Sequence, residues 1–198
     1  MSFGTIIPVT GLNLGFVGQI TRLDDFVITS RPVLQFSTGT TPALNINFGD
    51  PVVIVPTTGG GDSYQSVADF ITNSAGTFTA AKFAGVCNRE VKTNLLYTSL
   101  GNNGTPQLGS YAPNEMCEAV ERSSVLIHLN VAGTPVSQGP VFIRITANGG
   151  IPAGLVGGFE GAADGGNTVS LAGIAVFRTG FVDANGMAEI TLLNRVAA

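Results

Sequence analysis

The chain has 198 residues, with 9 Lys and Arg against 13 Asp and Glu, and a net charge of -4. Charged residues make up only 11% where about 25% is usual, so no basic face is on offer for nucleic acid. A single His and two Cys leave little for a multi-ligand metal site or a His-based triad.

Taken in chain order, the sequence opens with Phe3, Ile6, Ile7, Val9, Leu12, Leu14 and Phe16 set among Gly, Thr and Pro. Pro8 and Gly11 favour extended backbone over helix. Residues 1–20 are read either as an ordinary first strand or as an extended arm that lies on a neighbouring subunit. There it would add a strand or fill a groove. Phe3, Ile6, Ile7, Leu12, Leu14 and Phe16 are the candidate partner contacts. The first basic residue is Arg22, so no secretory signal is expected.

Residues 21–198 read as one domain. Strict alternation marks Leu44–Phe48, Val125–Val131, Val141–Thr146 and Ala188–Leu192 as half-buried strands. Further strand candidates are Gly15–Thr21, Phe26–Ser30, Pro32–Phe36, Val52–Val55, Lys82–Val86, Val91–Tyr97, Met116–Val120 and Ile174–Arg178. Asn103-Gly104, Asn148-Gly149 and Asn185-Gly186 supply turns, the last closing a C-terminal hairpin. Strands at intervals of roughly ten residues predict an all-β sandwich or barrel. One short helix is expected within Ser63–Asn73, from the spacing of Tyr64, Val67, Phe70 and Ile71, capped by Asp62 or Ser63. Residues 148–167 are Gly-rich and read as a long loop inside the one domain, of a kind that could order against a partner.

Mean hydropathy is +0.35, yet the longest apolar runs, such as Val52-Val53-Ile54-Val55, fall far short of the roughly 20 residues of a spanning helix. The score reflects missing charge, and no membrane partner is expected. The resulting neutral polar surface suits a protein partly covered in an assembly.

Each candidate for chemistry has a plainer reading. His128 alternates with Leu126 and Asn130 on a strand, as a residue of the less buried face. No serine sits in the strained G-x-S-x-G turn. Asp24 and Asp25 are neighbours at a turn, and Glu115, Glu118 and Glu121 read as solvated or interface charge rather than an opposed carboxylate pair. Gly59-Gly60-Gly61-Asp62 lacks the Lys-Ser/Thr ending of a phosphate-binding loop. Asp62 and Asp164 lie among glycines but form no calcium-ligand series. Asn103-Gly104-Thr105 fits a glycosylation triplet and is more simply a turn. Cys87 and Cys117 read as two packed free thiols or as a disulfide closing a loop of about 30 residues; the reducing cytoplasm favours the first. No cofactor, metal or catalytic residue is expected.

The C-terminal half carries a further pattern. Phe83-Ala84-Gly85-Val86 is followed by Tyr111-Ala112-Pro113-Asn114-Glu115-Met116 and Arg122-Ser123-Ser124-Val125-Leu126-Ile127. Then come Gly139-Pro140-Val141-Phe142-Ile143-Arg144, Val176-Phe177-Arg178-Thr179-Gly180 and Ala184-Asn185-Gly186-Met187-Ala188-Glu189-Ile190. This order, over residues 80–195, resembles the capsid decoration, or cement, proteins of tailed bacteriophages. The first 80 residues match less clearly. The resemblance implies a jelly-roll-like β sandwich on the outer surface of a virion, made in the bacterial host cytoplasm. It implies bridging of major capsid protein subunits, self-association as a dimer or trimer, and no enzyme activity. Other readings of the pattern are a tail-tube or baseplate module and a carbohydrate-binding sandwich. The last would need aromatic platforms, and the chain has no Trp and three Tyr.

Overall fold

A computed structural model describes residues 14–57, 60–89, 109–130, 133–151 and 154–193. The architecture is all-β. In chain order the strands are β1 (Ile20–Pro32), β2 (Phe36–Thr38), β3 (Thr41–Pro42), β4 (Ile46–Asn47), β5 (Pro51–Pro56), β6 (Asp62–Ser66) and β7 (Phe83–Cys87). After these come β8 (Ser110–Tyr111), β9 (Met116–His128), β10 (Phe142–Arg144), β11 (Phe159–Glu160), β12 (Thr168–Ser170), β13 (Ala175–Val182) and β14 (Met187–Leu192).

The large antiparallel sheet runs β13-β14-β9-β7-β5-β6, with β1 on β9. A three-stranded sheet β11-β10-β12 and the ribbons β2-β3 and β4-β8 complete the fold. The spine is β9, whose 13 residues join the two stretches expected separately at Met116–Val120 and Val125–Val131. It pairs with β1, β7 and β14.

Alternation along β5, β7 and β9 divides apolar side chains between two cores. Val53, Val86, Val120, Val125 and Ile127 pack with Ile143 of β10 and Phe159 of β11. Val52, Cys87, Cys117 and Ala119 face the other way, onto Ile46 of β4 and Tyr111 of β8. The large sheet is thus covered on both sides. That explains why strands such as β7 are buried at every residue rather than half-exposed.

The helix α1 is shorter than expected, Val67–Thr72. Its cap is Ser66, whose hydroxyl accepts from the Asp69 amide at 3.2 Å, not Asp62 or Ser63. Residues 62–66 are claimed by strand pairing with β5, from Val52↔Ser66 to Pro56↔Asp62. Tyr64 and Val67 therefore belong to different elements despite their helical spacing.

The C-terminal hairpin forms as expected. Asp183 Oδ1 accepts from the Asn185 and Met187 amides, and Gly186 adopts φ +75°. The Gly-rich stretch departs from expectation: its described residues include β11 and a 3-10 turn over Gly165–Asn167. They pack around the chain's own Arg144, which bonds Glu160 and Asp164. Val91–Tyr97 and Asn103-Gly104-Thr105 lie outside the described residues. No helix is long and apolar enough to cross a membrane among the described residues.

Candidate interaction surface

Of the candidate contacts, Phe3, Ile6, Ile7 and Leu12 lie outside the described residues. Leu14 and Phe16 mark the root of the N-terminal segment. The Leu14 amide donates to Asp183 Oδ2 at 3.1 Å, fixing the root to the β13–β14 turn. Phe16 is 58% exposed, and the Arg89 guanidinium stands over its ring at 4.3 Å. Gly18 then turns the chain into the domain at φ +74°. Its amide donates to Leu126 O at 2.8 Å and its carbonyl accepts from Arg89. A Cβ at Gly18 would stand 2.7 Å from Cys87 O, so the close backbone approach requires glycine.

Beside this root runs a groove of about 400 Å³, lined by Val17, Phe48, Asp50, His128, Leu155 and Phe159. Leu155 is 65% exposed at its rim. Asp50 accepts from the Asn47 amide and side chain at 2.9 and 3.0 Å. Burial pushes its carboxyl up to about 6 despite those bonds.

The residues weighed for chemistry do not converge. Asp25 pairs with Arg122 at 2.7 Å, and Asp62 with Arg31 at 3.1 Å. Glu115 accepts from the Ala112 amide, Glu118 from the Asn88 side chain, and Glu121 from the Tyr64 hydroxyl. Asp164 accepts from Arg144 and Asn148 at 2.9 and 2.8 Å, and the Asn148 bond chiefly holds its carboxyl below the usual range. His128 is exposed at the groove. Cys87 and Cys117 are free and buried, Sγ to Sγ 3.7 Å. Among the described residues no group of three or more His, Cys, Asp or Glu is placed to hold a metal ion.

A second surface feature escaped the sequence reading. Pairing of β1, β9, β14 and β13 brings Arg22, Arg122 and Arg178 to one cleft of about 250 Å³. Ser124 faces Arg22 on one side and Thr191 on the other. These arginines are far apart in the chain, so no local motif could have shown them together.

Residues 7–193 match the family model described as structural cement protein (E217 gp24/Pam3 gp6). The match begins at residue 7, so the likeness takes in the first half of the chain as well as residues 80–195. No match was found among curated proteins. Among solved structures the chain is similar to one from the capsid of Myoviridae phage XM1, with a TM-score of 0.54 and 13% identity over 100% of both chains. That likeness shows a shared fold. The family match covers nearly the whole chain, and the chain belongs to the phage structural cement protein family.

Proposed function

We propose that this chain is a non-enzymatic virion protein that binds the outside of a phage capsid and bridges neighbouring major capsid protein subunits. The family match over residues 7–193 carries this reading. The structure supports it physically. Two cores on opposite faces of one sheet make a rigid body. The surface is poor in charge, and Phe16, Phe26, Met116, Val136 and Leu155 are each at least half exposed.

The action is thermodynamic. A protein that binds only the assembled shell stabilises it by mass action. A copy that grips two subunits adds the effective concentration of the second contact. Association into dimers or trimers through matching patches would extend the bridging. The N-terminal segment, rooted at Leu14 and Phe16, is proposed as the part that reaches a neighbour.

The test is co-sedimentation of the purified chain with mature shells assembled without it. Saturable binding at a fixed ratio to the capsid subunit is expected. Absence of binding to expanded shells would overturn the reading. Ring stacking of the free protein would point instead to a tail-tube module.

A further inference from the structure

We infer that the cleft between Arg22, Arg122 and Arg178 is the docking site for an acidic side chain of the shell subunit. The inference rests on the capsid reading above. Its starting point is distribution. The whole chain has 9 Lys and Arg and a net charge of -4, yet three arginines converge on one cleft of about 250 Å³.

The cleft is built by strand register. On the sheet face that carries Ser124, β14 presents Thr191 and Glu189, and β13 presents Arg178. Arg122 enters from β9, where the β1 bulge turns aside between Arg22 and Val27. The opposite face of the same strands carries Val125, Ile190 and Phe177 of the core. The guanidinium positions are therefore set by a packed sheet rather than by a loop.

Internal pairing leaves the cleft cationic. Arg22 meets Glu189 at 3.4 Å and remains 51% exposed; Arg122 meets Asp25 at 2.7 Å and remains 48% exposed. Arg178 has no carboxylate partner among the described residues. Among the described residues, three guanidinium groups against two carboxylates leave an excess positive charge, with Arg178 open to donate to a ligand.

The chemistry favours a protein carboxylate. A guanidinium fork matches a carboxylate in two parallel hydrogen bonds, which a lysine cannot do. Ser123 and Thr191 line the same cleft, with the Ser123 hydroxyl donating to Arg22 O at 2.8 Å and the Thr191 hydroxyl bonded to Ser124 at 2.9 Å, so the donors for a ligand oxygen are the guanidinium groups. Leu193 lines it at 39% exposure, and Phe26, next to Asp25 in the chain, is 50% exposed. Arginine beside exposed aromatic and aliphatic surface is the composition of a protein interface. Three arginines fall short of the 6–10 phosphate contacts typical of strong duplex binding.

The experiment compares the full-length chain with R178E in co-sedimentation with shells assembled without it, at about 50 and 300 mM NaCl. Wild-type affinity is expected to fall with salt. R178E is expected to bind about tenfold more weakly or worse at low salt, with its melting temperature unchanged. R178Q, which removes charge without reversing it, replaces R178E if reversal alters melting, and is expected to lose affinity less steeply. Equal binding by wild type and variant, with equal salt dependence, overturns the docking site and leaves the capsid reading standing. A variant that binds shells normally but changes its own sedimentation state also overturns it, because the cleft would then join copies of this chain. Shells that bind neither protein overturn the capsid reading itself.

Discussion

Arg144 on β10 and Glu160 on β11 form a two-pronged ion pair with no exposed side-chain surface on either partner. The remaining guanidinium nitrogen of Arg144, Nη1, donates to Asp164 at 2.9 Å and to Thr146 O at 3.2 Å. One arginine thus pins both arms of the Gly-rich stretch. Gly154 lies so close that a Cβ there would stand 2.5 Å from Arg144 Nε. Removing one partner of such a pair strands a buried charge and typically costs about 3–5 kcal/mol, whereas replacing both with apolar groups of similar volume is often neutral. E160A leaves Arg144 its bond to Asp164, so it is expected to lower stability in urea unfolding by less than that, on the order of 1–3 kcal/mol. The double variant R144M/E160L is expected to recover most of the loss. Equal losses in the single and double variants would show that the pair is not the strut.

The same network explains what the sequence could show. Alternation found β10 and β14, the candidates Val52–Val55, Lys82–Val86 and Ile174–Arg178 fell on β5, β7 and β13, and the Asp183–Gly186 turn identified the hairpin between β13 and β14, because each signal is local. Tertiary pairing settled the remainder. Tyr64 shares a helical spacing with Val67, Phe70 and Ile71, and the five-residue register of Asp62–Ser66 with β5 overrides it. A run of glycines reads as a loop; only the fold reveals that Arg144, Glu160 and Asp164 organise it. Likewise Arg22, Arg122 and Arg178 meet through β1, β9, β14 and β13, at separations no local pattern reports. The arm residues Phe3, Ile6, Ile7 and Leu12 stay a sequence reading, whereas Leu14 and Phe16 have a structural place.

Asp50 sets a pH dependence opposite to that of a salt-bridged carboxylate. Its folded carboxyl is pushed from the ordinary 3.8 up to about 6, by burial first. Below the unfolded range both states are protonated. As pH rises from about 4 to 6, only the unfolded chain releases its proton, so stability is lost over that window. D50N keeps an oxygen for the Asn47 donors and removes the charge. It is expected to melt higher than wild type at pH 7.5, by on the order of 1–2 kcal/mol after allowance for partial exposure. The difference should close near pH 4. A melting series that shows the same gap at both pH values would refute the assignment.

Cys87 and Cys117 face each other in the second core without exposed surface. Burial, and then the neighbouring Cys117 thiol, push the Cys87 thiol well above its usual range, which suppresses the reactive thiolate. Folded protein is expected to react slowly with a thiol reagent at neutral pH, and to yield both thiols once denatured without reductant. Recovery of fewer thiols after denaturation would indicate a disulfide.

The N-terminal segment gives the most direct separation of fold from assembly. Deleting Met1–Gly11 leaves Leu14, with its bond to Asp183, and Gly18, with its bonds to Leu126 and Arg89. Among the described residues, neither core contains one before Ile20. The truncated chain is expected to keep its melting temperature, because the bonds that root the segment at Leu14 and Gly18 are retained. Its affinity for shells should fall, and the loss should be largest where avidity matters, at low protein concentration. Binding is measured by co-sedimentation over a concentration series, beside the full-length chain. A truncation that melts as before and binds as before would remove the arm from the mechanism, leaving the sheet face with Arg22, Arg122 and Arg178 as the principal contact.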